Sequence, residues 1–347
     1  MTREPIGIAM SGGVDSTAAA LLLKERFAVE GFFMDLAQPD FEDQKRRVVH
    51  LAEALNIPLH IIDLKVQFKK RVLDYFTGSY FQGRTPNPCM ICNLEIKFGL
   101  FMDAILSSGM AAVATGHYAR IHEGDGEFFL KRGTDVKKDQ SYFLSRLTQQ
   151  QLSRVMFPLG SAMKEDIYRF VENNGYTDFR GVESQDICFL KNKRVRAFLE
   201  EYKTVSIQPG NIISVNGSIL GRHKGLHCYT IGQRRGLGLP DATPWYVCSL
   251  DQQNNTLVVG KNRDLFSSAL TADNPHWISR AIPEANRTYT VRIRYSHPGA
   301  EARFTWVSGD SFRLDFDEAQ RAIAPGQYAV LYDGTRVVGS GEIVSRH

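Results

Sequence analysis

The stretch from Met10 to Thr17, which reads MSGGVDST, constrains the fold more than any other part of the sequence. An apolar run at 6–10 precedes it and a helical pattern at 18–27 follows it, so its two adjacent glycines lie between a strand and a helix. Glycine pairs permit backbone angles that side chains forbid, and successive N–H groups can then point into one concavity. The first helical turn adds unpaired amides and the positive end of its dipole. The stretch therefore predicts a site for phosphate oxygens.

This phosphate site differs from a Walker loop. A Walker loop carries a lysine that reaches the outer phosphates of a nucleotide, and no lysine stands between Met10 and Thr17. The stretch is better suited to hold a pyrophosphate leaving group than to transfer a terminal phosphoryl group. The alternative is a glycine-rich turn of the kind found in any open α/β sheet, but the intact string SGGVDS at such a turn favours nucleotide binding.

Apolar strands and helical patterns alternate along the first third of the chain. The strands are predicted at 5–10, 28–34, 59–63 and 111–115, and the helices at 16–27, 41–55, 66–81 and 93–108. This alternation predicts an α/β fold with a mostly parallel sheet and helices on both faces. Ligands of such sheets bind at the carboxyl ends of the strands, so we expect the site near the loops that begin at Met10, Met34 and Thr115.

Composition limits the class of protein. At 347 residues the chain is long for one core, and two or three domains are expected. A hydrophobic content of 43% and a charged content of 23% are typical of a globular protein. No apolar run is long enough to span a bilayer and the N-terminus does not have the form of a signal peptide, which predicts a cytoplasmic protein without a membrane partner. The formal net charge of +4 is compatible with RNA binding through local basic patches.

The chain changes character after the predicted α/β part. A hairpin is predicted at 121–131, and helical patterns follow at 148–155 and 163–174. From Pro209 onward short strands and glycine turns dominate, and alternating strands near the end of the chain are typical of a small β-barrel. We expect three domains, a catalytic domain at 1–195, a small β-rich domain at 196–268 and a C-terminal β-barrel at 269–347.

The second informative stretch is RTPNPCMICN, which carries Cys89 and Cys92. Two prolines fix a loop, and Asn93 is expected to cap the helix that follows. Cys92 would then lie beside a helix N-terminus, where the dipole lowers the pKa of a thiol towards the reactive thiolate, with help from Arg84 and Lys97. The alternatives are a zinc knuckle or buried, inert cysteines, but a zinc knuckle needs a second close pair of ligands and the chain has no other Cys-x-x-Cys.

Cys188 stands alone in the sequence, and a lone cysteine is more often a core residue than a catalyst. The polar residues before it, Ser184, Gln185 and Asp186, favour a functional role. So does the need for a second sulfur if Cys92 takes part in sulfur chemistry. Structural disulfides are not expected in a reducing compartment, so metal binding or catalysis is favoured for the cysteines.

The string at the phosphate loop resembles that of the N-type ATP pyrophosphatases, whose adenine nucleotide alpha hydrolase-like domain adenylates a carbonyl-type oxygen and releases pyrophosphate. Eight motifs occur along the chain in one order, and they are AMSGGVDS, GRTPNPCMICN, TGHYAR, KDQSYFL, FPLG, ESQDICFL, HKGLHCYTIGQRRGLG and PGQYAVLYDG. In this order the chain resembles the tRNA-specific 2-thiouridylases from residue 6 to about residue 343. Eight motifs in a fixed order exceed what chance matching of short patterns produces.

The resemblance implies a reaction in three steps. ATP binds at the glycine-rich loop and activates the C2 oxygen of the wobble uridine of tRNA as an adenylate, with release of pyrophosphate. Sulfur carried by a cysteine persulfide attacks C2 and expels AMP, which leaves 2-thiouridine in the anticodon. A cysteine desulfurase or a sulfur-relay protein is the implied partner that supplies sulfur. The base is expected to flip out, because its C2 is inaccessible in a stacked loop.

The resemblance also implies residue roles. Cys92 would be the nucleophile and Cys188 the persulfide carrier, or the reverse, and the two would end as a disulfide. Asp15 would be catalytic by holding Mg²⁺, although the residue also suits a helix N-cap. The implied nucleotide contacts are Ala9, Met10, Ser11, Gly12, Gly13, Val14, Asp15, Ser16, Met34 and Gly116. The implied tRNA contacts are Asn87, Pro88, Cys89, His117, Lys138, Asp139, Gln140, Arg294, Tyr295 and Gln327.

Several alternatives stay open at this point. On physical grounds alone Met34 is a core residue, and His117 suits a local hydrogen bond as well as a tRNA contact. Some members of the family carry aspartate at the position of Cys89, so Cys89, Cys92 and Cys188 are also candidate ligands of a four-iron iron–sulfur cluster. Two other functions remain, an ATP pyrophosphatase that adenylates a carbonyl for amination and a non-catalytic RNA-binding protein.

Overall fold

The computed structural model describes residues 3–177, 179, 187–191, 193–202, 208–240 and 242–347. Its first part is a parallel sheet of five strands, which in spatial order are Leu59–Asp63, Ala28–Asp35, Pro5–Ala9, Ala112–Ala114 and Val155–Met156. Consecutive side chains of a strand point to opposite faces, and here Phe32 packs in one apolar cluster and Phe33 in another. Both faces are apolar because helices cover both, and the predicted α/β fold is confirmed.

Most of the helices lie in this part of the chain. The α-helices are Val14–Lys24, Phe41–Leu55, Lys65–Phe68, Asp74–Phe81, Pro88–Ile91, Met102–Ser107, Gln149–Leu152, Lys164–Asn173 and Val195–Tyr202. Two π-helical segments, Lys69–Leu73 and Cys92–Phe101, join helices into longer rods, and short 3₁₀ turns lie at Ser141–Leu144, Leu226–Cys228 and Asn262–Leu265. Within the described residues no helix is long and apolar enough to cross a bilayer.

Two helix predictions need correction. The helix expected at 93–108 begins at Pro88, because Asn87 rather than Asn93 caps it. The helix expected at 148–155 is only Gln149–Leu152, held by a capping box, and the chain then forms the short strand Val155–Met156 beside Ala112–Ala114. The β-branched Val155 fits that sheet position, which a local helical pattern cannot reveal.

The second part is a sheet of four strands. In spatial order they are Tyr246–Asp251, Thr256–Gly260, Gly210–Ser214 and Ile219–His223. The loop at 232–238, which carries GQRRGLG, is irregular, as its glycines suggest.

The third part is a closed barrel of six antiparallel strands, which confirms the predicted barrel. Around the barrel the strands are Phe266–Trp277, Ser311–Arg321, Ala300–Ser308, Thr288–Arg292, Tyr328–Asp333 and Arg336–Arg346, and the last pairs with the first. Closure removes the exposed strand edges of an open sheet.

The predicted hairpin is present as Ala119–Gly124 and Glu127–Arg132, but it belongs to the sheet of the barrel. Lys131 pairs with Arg336, and the amide of Arg132 donates to the carbonyl of Thr335 at 2.8 Å. A hairpin pattern does not reveal which sheet the hairpin joins. The consequence is that this hairpin ties the α/β part to the barrel.

Candidate functional site

The phosphate loop, residues 10–17, connects the first strand to helix Val14–Lys24. Gly12 has a φ of +77°, a conformation that favours glycine, and Gly13 is the extended N-cap residue. No side chain caps this helix N-terminus. The hydroxyl groups of Ser16 and Thr17 donate to the carbonyl of Gly13 at 3.0 and 3.1 Å. The loop is thus closed by its own side chains, and its backbone carries the features that suit an anion.

Two expectations for side chains of the loop change in the structure. Met10 is buried in the core, so any nucleotide contact there would come from the backbone. The hydroxyl of Ser16 is committed to Gly13, and it also accepts the backbone N–H of Ser11 at 3.2 Å, so it stabilises the loop itself. Ala9 and Met34 are half-buried at the ends of neighbouring strands, and Met34 packs against the large apolar cluster.

Asp15 is not the N-cap, because Gly13 occupies that position. The ammonium group of Lys164 lies 2.7 and 2.8 Å from the two carboxylate oxygens of Asp15, and the hydroxyl of Tyr118 donates to one of them at 2.8 Å. The side chain of Lys164 is only 9% exposed and that of Asp15 is 35% exposed, so the ion pair is partly open to solvent on the side of Asp15. The phosphate loop thus receives a lysine from a distant helix, whereas a Walker loop carries one in its own sequence.

Gly116 packs so closely on the backbone of Asp15 that a side chain would not fit at this position. A Cβ atom at Gly116 would lie 2.7 Å from the backbone carbonyl carbon of Asp15. Real Cβ atoms do not come this close to backbone, so only glycine lets the turn 115–117 pack on the first helical turn of the phosphate loop.

The cysteine cluster consists of Cys89, Cys92 and Cys188, which lie close enough together to influence one another's ionisation. Cys89 and Cys92 are half-buried and Cys188 is exposed, and all three are free thiols. The polar residues Ser184, Gln185 and Asp186, which favoured a role for Cys188, lie outside the described residues.

The expected activation of Cys92 by a helix N-terminus is wrong. The side chain of Asn87 accepts the amide of Met90 at 3.3 Å and caps the helix, so Cys92 lies beyond its first turn. Asn93 instead donates its side-chain amide to the carbonyl of Phe143 at 3.3 Å. Without a free helix end beside it, the thiol loses the dipole that would lower its pKa.

Burial dominates the electrostatics of the cysteine cluster. Desolvation raises the pKa of Cys89 to about 11 and that of Cys92 to about 12, and it also raises the pKa of Cys188. The nearby ammonium group of Lys97 opposes this effect at all three thiols but does not overcome it. The thiols are therefore protonated at neutral pH in this state of the protein.

His117 lies between the two regions. Its Nε2 is 3.4 Å from the ammonium nitrogen of Lys97, and its Nδ1 is 2.6 Å from the hydroxyl oxygen of Thr115. Burial, with help from the charge of Lys97, holds the pKa of His117 well below its usual value, so the ring is neutral. A neutral ring that accepts from Lys97 carries its proton on Nδ1 and donates it to Thr115. His117 thus makes the local hydrogen bonds that were the alternative to a tRNA contact.

The turn 115–117 therefore contacts both regions. Gly116 packs on the phosphate loop, and the next residue, His117, contacts Lys97 of the cysteine cluster. Because three extended residues span at most about 10 Å, the phosphate loop and the surroundings of the cysteines are neighbours.

The barrel holds the loop that precedes the cysteines. The side-chain amide of Gln327 donates to the carbonyls of Thr85 and Pro86 at 2.9 and 3.2 Å, and the amide of Thr85 donates to the carbonyl of Pro325 at 2.8 Å. Arg84 forms an ion pair with Glu342 of the barrel at 3.3 Å. Two motifs more than 230 residues apart, GRTPNPC and PGQYAVLYDG, thus meet in space.

The prediction that Asp139 contacts tRNA needs correction. Its side chain is 0% exposed, and its carboxylate accepts from Arg132 and Arg292, each at 3.1 Å. Such a buried, saturated carboxylate joins the hairpin to the barrel and leaves no oxygen for RNA.

The remaining expected tRNA contacts lie around the same interface. Gln140 accepts the amide of Tyr118 at 3.0 Å, and Arg294 donates to the carbonyl of Arg321 at 3.1 Å. The ring of Tyr295 stacks on Phe143 with centroids 4.5 Å apart. Asn87 and Pro88 are buried, and Lys138 is half-buried.

Sequence reasoning missed Lys164 and Tyr118. Lys164 stands 149 residues from its partner Asp15, and no local pattern connects them. The available signal was indirect, since Tyr118 lies within TGHYAR and Lys164 follows FPLG by a few residues.

Comparisons with known proteins agree with this architecture. Sequence models of three domain families match the chain, the tRNA methyl transferase HUP domain at 4–192, the tRNA methyl transferase PRC-barrel domain at 196–261 and the aminomethyltransferase beta-barrel domain at 267–343. A solved structure described as a predicted subunit of tRNA methyltransferase from Methanocaldococcus jannaschii is 13% identical and covers 57% of this chain and 88% of that chain, with a TM-score of 0.35, too low to bear on the site.

Curated relatives match almost the whole chain. The tRNA-specific 2-thiouridylase MnmA of Desulfotalea psychrophila is 52% identical over 99% of this chain and 100% of its own length. Proteins of the same name from Nitrosomonas eutropha and Syntrophotalea carbinolica are 39% and 41% identical, over 99% and 98% of this chain and 99% of each relative. Together with the HUP-domain match over the α/β part, these full-length similarities place the chain in the tRNA-specific 2-thiouridylase family.

Proposed function

We propose that this enzyme uses ATP to replace the C2 oxygen of the wobble uridine of tRNA with sulfur. The observation that carries the proposal is the turn 115–117, which packs on the phosphate loop through Gly116 and contacts Lys97 beside the cysteines through His117. One uridine could then meet an activated phosphate and a sulfur atom without leaving the site. Proximity of this kind supplies a large share of catalysis in reactions between bound groups.

The first step is adenylation. The C2 oxygen attacks the α-phosphorus of ATP, the α–β anhydride bond breaks and pyrophosphate leaves. The helix N-terminus at the phosphate loop has no side-chain cap, and Lys164 contacts Asp15 in its first turn. We expect the loop amides and this ammonium group to stabilise the negative charge that develops on the leaving group.

The residue expected to hold Mg²⁺ does not fit that role directly. Both carboxylate oxygens of Asp15 are hydrogen-bonded to Lys164, and one also accepts from Tyr118. A direct bond from Asp15 to Mg²⁺ would compete with the ammonium group. We therefore expect Mg²⁺ to arrive as part of the ATP complex.

The second step is sulfur transfer. The terminal sulfur of a cysteine persulfide attacks C2, the C–O bond breaks and AMP leaves with the former C2 oxygen. The thiolate of the other cysteine then attacks the persulfide S–S bond, which releases the thiocarbonyl and forms a disulfide between Cys92 and Cys188 that an external thiol must reduce. Cys188 is the exposed member of the pair, which suits it to receive sulfur from a desulfurase or relay protein.

The cysteine cluster also has the donor set of an iron–sulfur cluster. Cys89 and Cys92 lie one helical turn apart and Cys188 approaches from another segment, so three thiols surround one desolvated region. A four-iron cluster bound by these three residues would supply an iron site for a sulfur ligand. An anaerobic absorption spectrum of freshly purified protein separates the two forms, since broad iron–sulfur absorption indicates the cluster and its absence supports persulfide relay.

Contacts with tRNA are proposed at the interface of the α/β part and the barrel. Tyr295 and Lys138 lie there, and the Asn87 loop is held against Gln327. Exposed basic residues suited to RNA phosphates are Lys137, Arg194, Arg234 and Arg235.

The direct test is reconstitution. Purified protein with ATP, Mg²⁺, a sulfide or persulfide donor and tRNA bearing a wobble uridine should yield 2-thiouridine, and tRNA with cytidine at that position is the matched control. Absence of the thiolated nucleoside with an active donor would contradict the proposal. An amidating ATP pyrophosphatase would keep its activity in Cys92→Ser, and a non-catalytic RNA-binding protein would form no AMP or pyrophosphate with tRNA.

A further inference from the structure

A second group of metal-ligating side chains lies outside the site described above. Glu200, His227 and Cys228 each bring one ligand atom, and these atoms all lie within 4.8 Å of one another. Glu200 belongs to helix Val195–Tyr202, and the other two residues lie on the 3₁₀ turn Leu226–Cys228 of the middle sheet region. None of the three residues takes part in the thiolation steps proposed above.

The geometry of the pair on the turn is that of a metal chelate. Sγ of Cys228 and Nε2 of His227 are 3.5 Å apart. A tetrahedral zinc ion with Zn–S of about 2.3 Å and Zn–N of about 2.0 Å separates its two ligand atoms by about 3.5 Å. A carboxylate within reach of both completes a set of thiolate, imidazole and carboxylate, which suits a borderline-soft cation and not magnesium or calcium.

The surroundings hold the ligands in place. His227 is only 7% exposed as a residue, and its ring lies 5.0 Å from the ring of Phe81. The guanidinium group of Arg196 donates to one oxygen of Glu200 at 2.8 Å. A hydrogen bond of this kind from outside the ligand set orients a metal-binding carboxylate and still leaves lone pairs for the cation.

We infer that Glu200, His227 and Cys228 bind one zinc ion, with a fourth position open to water. Cys228 binds as the thiolate and releases its proton to solvent when the metal enters. The ion would tie helix Val195–Tyr202 to the middle sheet region. That helix carries Phe198, whose ring lies 5.1 Å from Phe189, the neighbour of Cys188. The zinc ion would therefore be structural, and it would stabilise the position of the segment that bears Cys188.

Cobalt titration of the full-length protein tests this inference, because a thiolate bound to Co²⁺ gives a charge-transfer band. Cys228→Ser should bind one equivalent fewer than the wild type and lose the corresponding part of the band. Cys248→Ala, which changes a buried cysteine of the same sheet, should match the wild type. Arg196→Met should keep the stoichiometry and bind about 10-fold more weakly, because only the orientation of Glu200 is lost.

A thermal unfolding experiment shows whether Cys228→Ser is still folded, so that a loss of cobalt binding is not caused by unfolding. In the presence of a chelator, Cys228→Ser should unfold within a few degrees of the wild type, and added zinc should stabilise the wild type more than Cys228→Ser, which keeps the three thiols of the cysteine cluster. Equal cobalt stoichiometry and equal bands in the wild type and Cys228→Ser would overturn the inference, and the 3.5 Å contact would then be only a hydrogen bond between thiol and imidazole.

Discussion

The phosphate loop and the cysteine cluster differ in how far they are prepared for chemistry. The phosphate loop is formed entirely by eight consecutive residues. Gly12 has a positive φ, and side-chain hydroxyl groups donate to the carbonyl of Gly13. The cysteine cluster is assembled from two separate segments, and burial keeps its thiols protonated. The nucleotide end of the site is therefore organised in the free protein, whereas the sulfur end still needs to lose protons.

This contrast suggests an order of events. Preorganised amides stabilise charge without rearrangement, so adenylation can start as soon as ATP and uridine are bound. A thiolate in the desolvated cluster would be costly until a partner charge or sulfur donor arrives.

The largest expected effect is that of Cys92→Ser, which should impair the cysteine cluster and leave the phosphate loop active. Cys92→Ser should reduce thiolation by at least about 10⁴-fold, because it removes a sulfur that takes part in covalent chemistry. Formation of pyrophosphate in the first turnover with tRNA should persist, because adenylation depends on the phosphate loop, which is untouched. Thiolated nucleoside and pyrophosphate are measured by chromatography in single-turnover reactions, with Cys248→Ala as the control variant. Loss of pyrophosphate together with thiolation in Cys92→Ser would show that the regions do not act separately.

The second effect concerns protonation. With a pKa raised to about 12, Cys92 should have about 10³-fold less thiolate at pH 8 than an unperturbed thiol, and its alkylation by iodoacetamide should be correspondingly slow. The rate should climb steadily as the pH rises towards 12, and Lys97→Met should slow it further because the opposing cation is lost. Mass spectrometry of Cys92 at several pH values measures this, with unfolded protein as the reference. A rate that levels off near neutral pH would mean that the thiol is already activated.

The raised pKa of Cys92 also determines how the stability of the fold changes with pH. The folded protein binds the Cys92 proton more tightly than the unfolded chain does, so this contribution to stability is present below the usual thiol pKa and is lost as the pH rises towards about 12.

The third effect tests the phosphate loop. Lys164→Met should slow adenylation by about 10- to 100-fold, as expected when one hydrogen bond to a charged group worth about 1.5–3 kcal/mol is lost. Tyr118→Phe, which removes only a single hydroxyl from the same carboxylate, should cost about 10-fold at most. Pyrophosphate release in single-turnover reactions measures both. Equal losses in the two variants would argue that Asp15, and not the ammonium group, is the important member of the pair.

The smallest effect concerns the turn between the regions. Gly116→Ala should lower the free energy of unfolding by about 1–3 kcal/mol, because the added methyl meets the backbone of Asp15. Gly78→Ala is the matched control, since nothing lies within 4 Å of its Cβ position in helix Asp74–Phe81, and it should be neutral or stabilise by up to about 1 kcal/mol. Urea unfolding measures both changes. A Gly116→Ala variant as stable as the wild type would contradict the close approach.

Features formed by neighbouring residues were predictable from the sequence, whereas side-chain contacts between residues far apart in the sequence were not. The strand, turn and helix around Gly12 follow from neighbouring residues, and so do the barrel strands. The partner of Asp15 is 149 residues away, and the burial of Asp139 depends on Arg292 from the barrel. The reactivity expected for Cys92 failed for the same reason, because its pKa depends on the desolvation that the surrounding fold imposes on the thiol and not on its place in a motif.

We propose that the phosphate loop and the cysteine cluster act in turn on the same uridine. A tRNA labelled with heavy oxygen at C2 of the wobble uridine tests this order of steps, with AMP and the nucleoside both analysed by mass spectrometry. Each 2-thiouridine formed should be matched by one AMP whose phosphate carries the label. Thiolated tRNA accompanied by unlabelled AMP, with the heavy oxygen released to water, would contradict it.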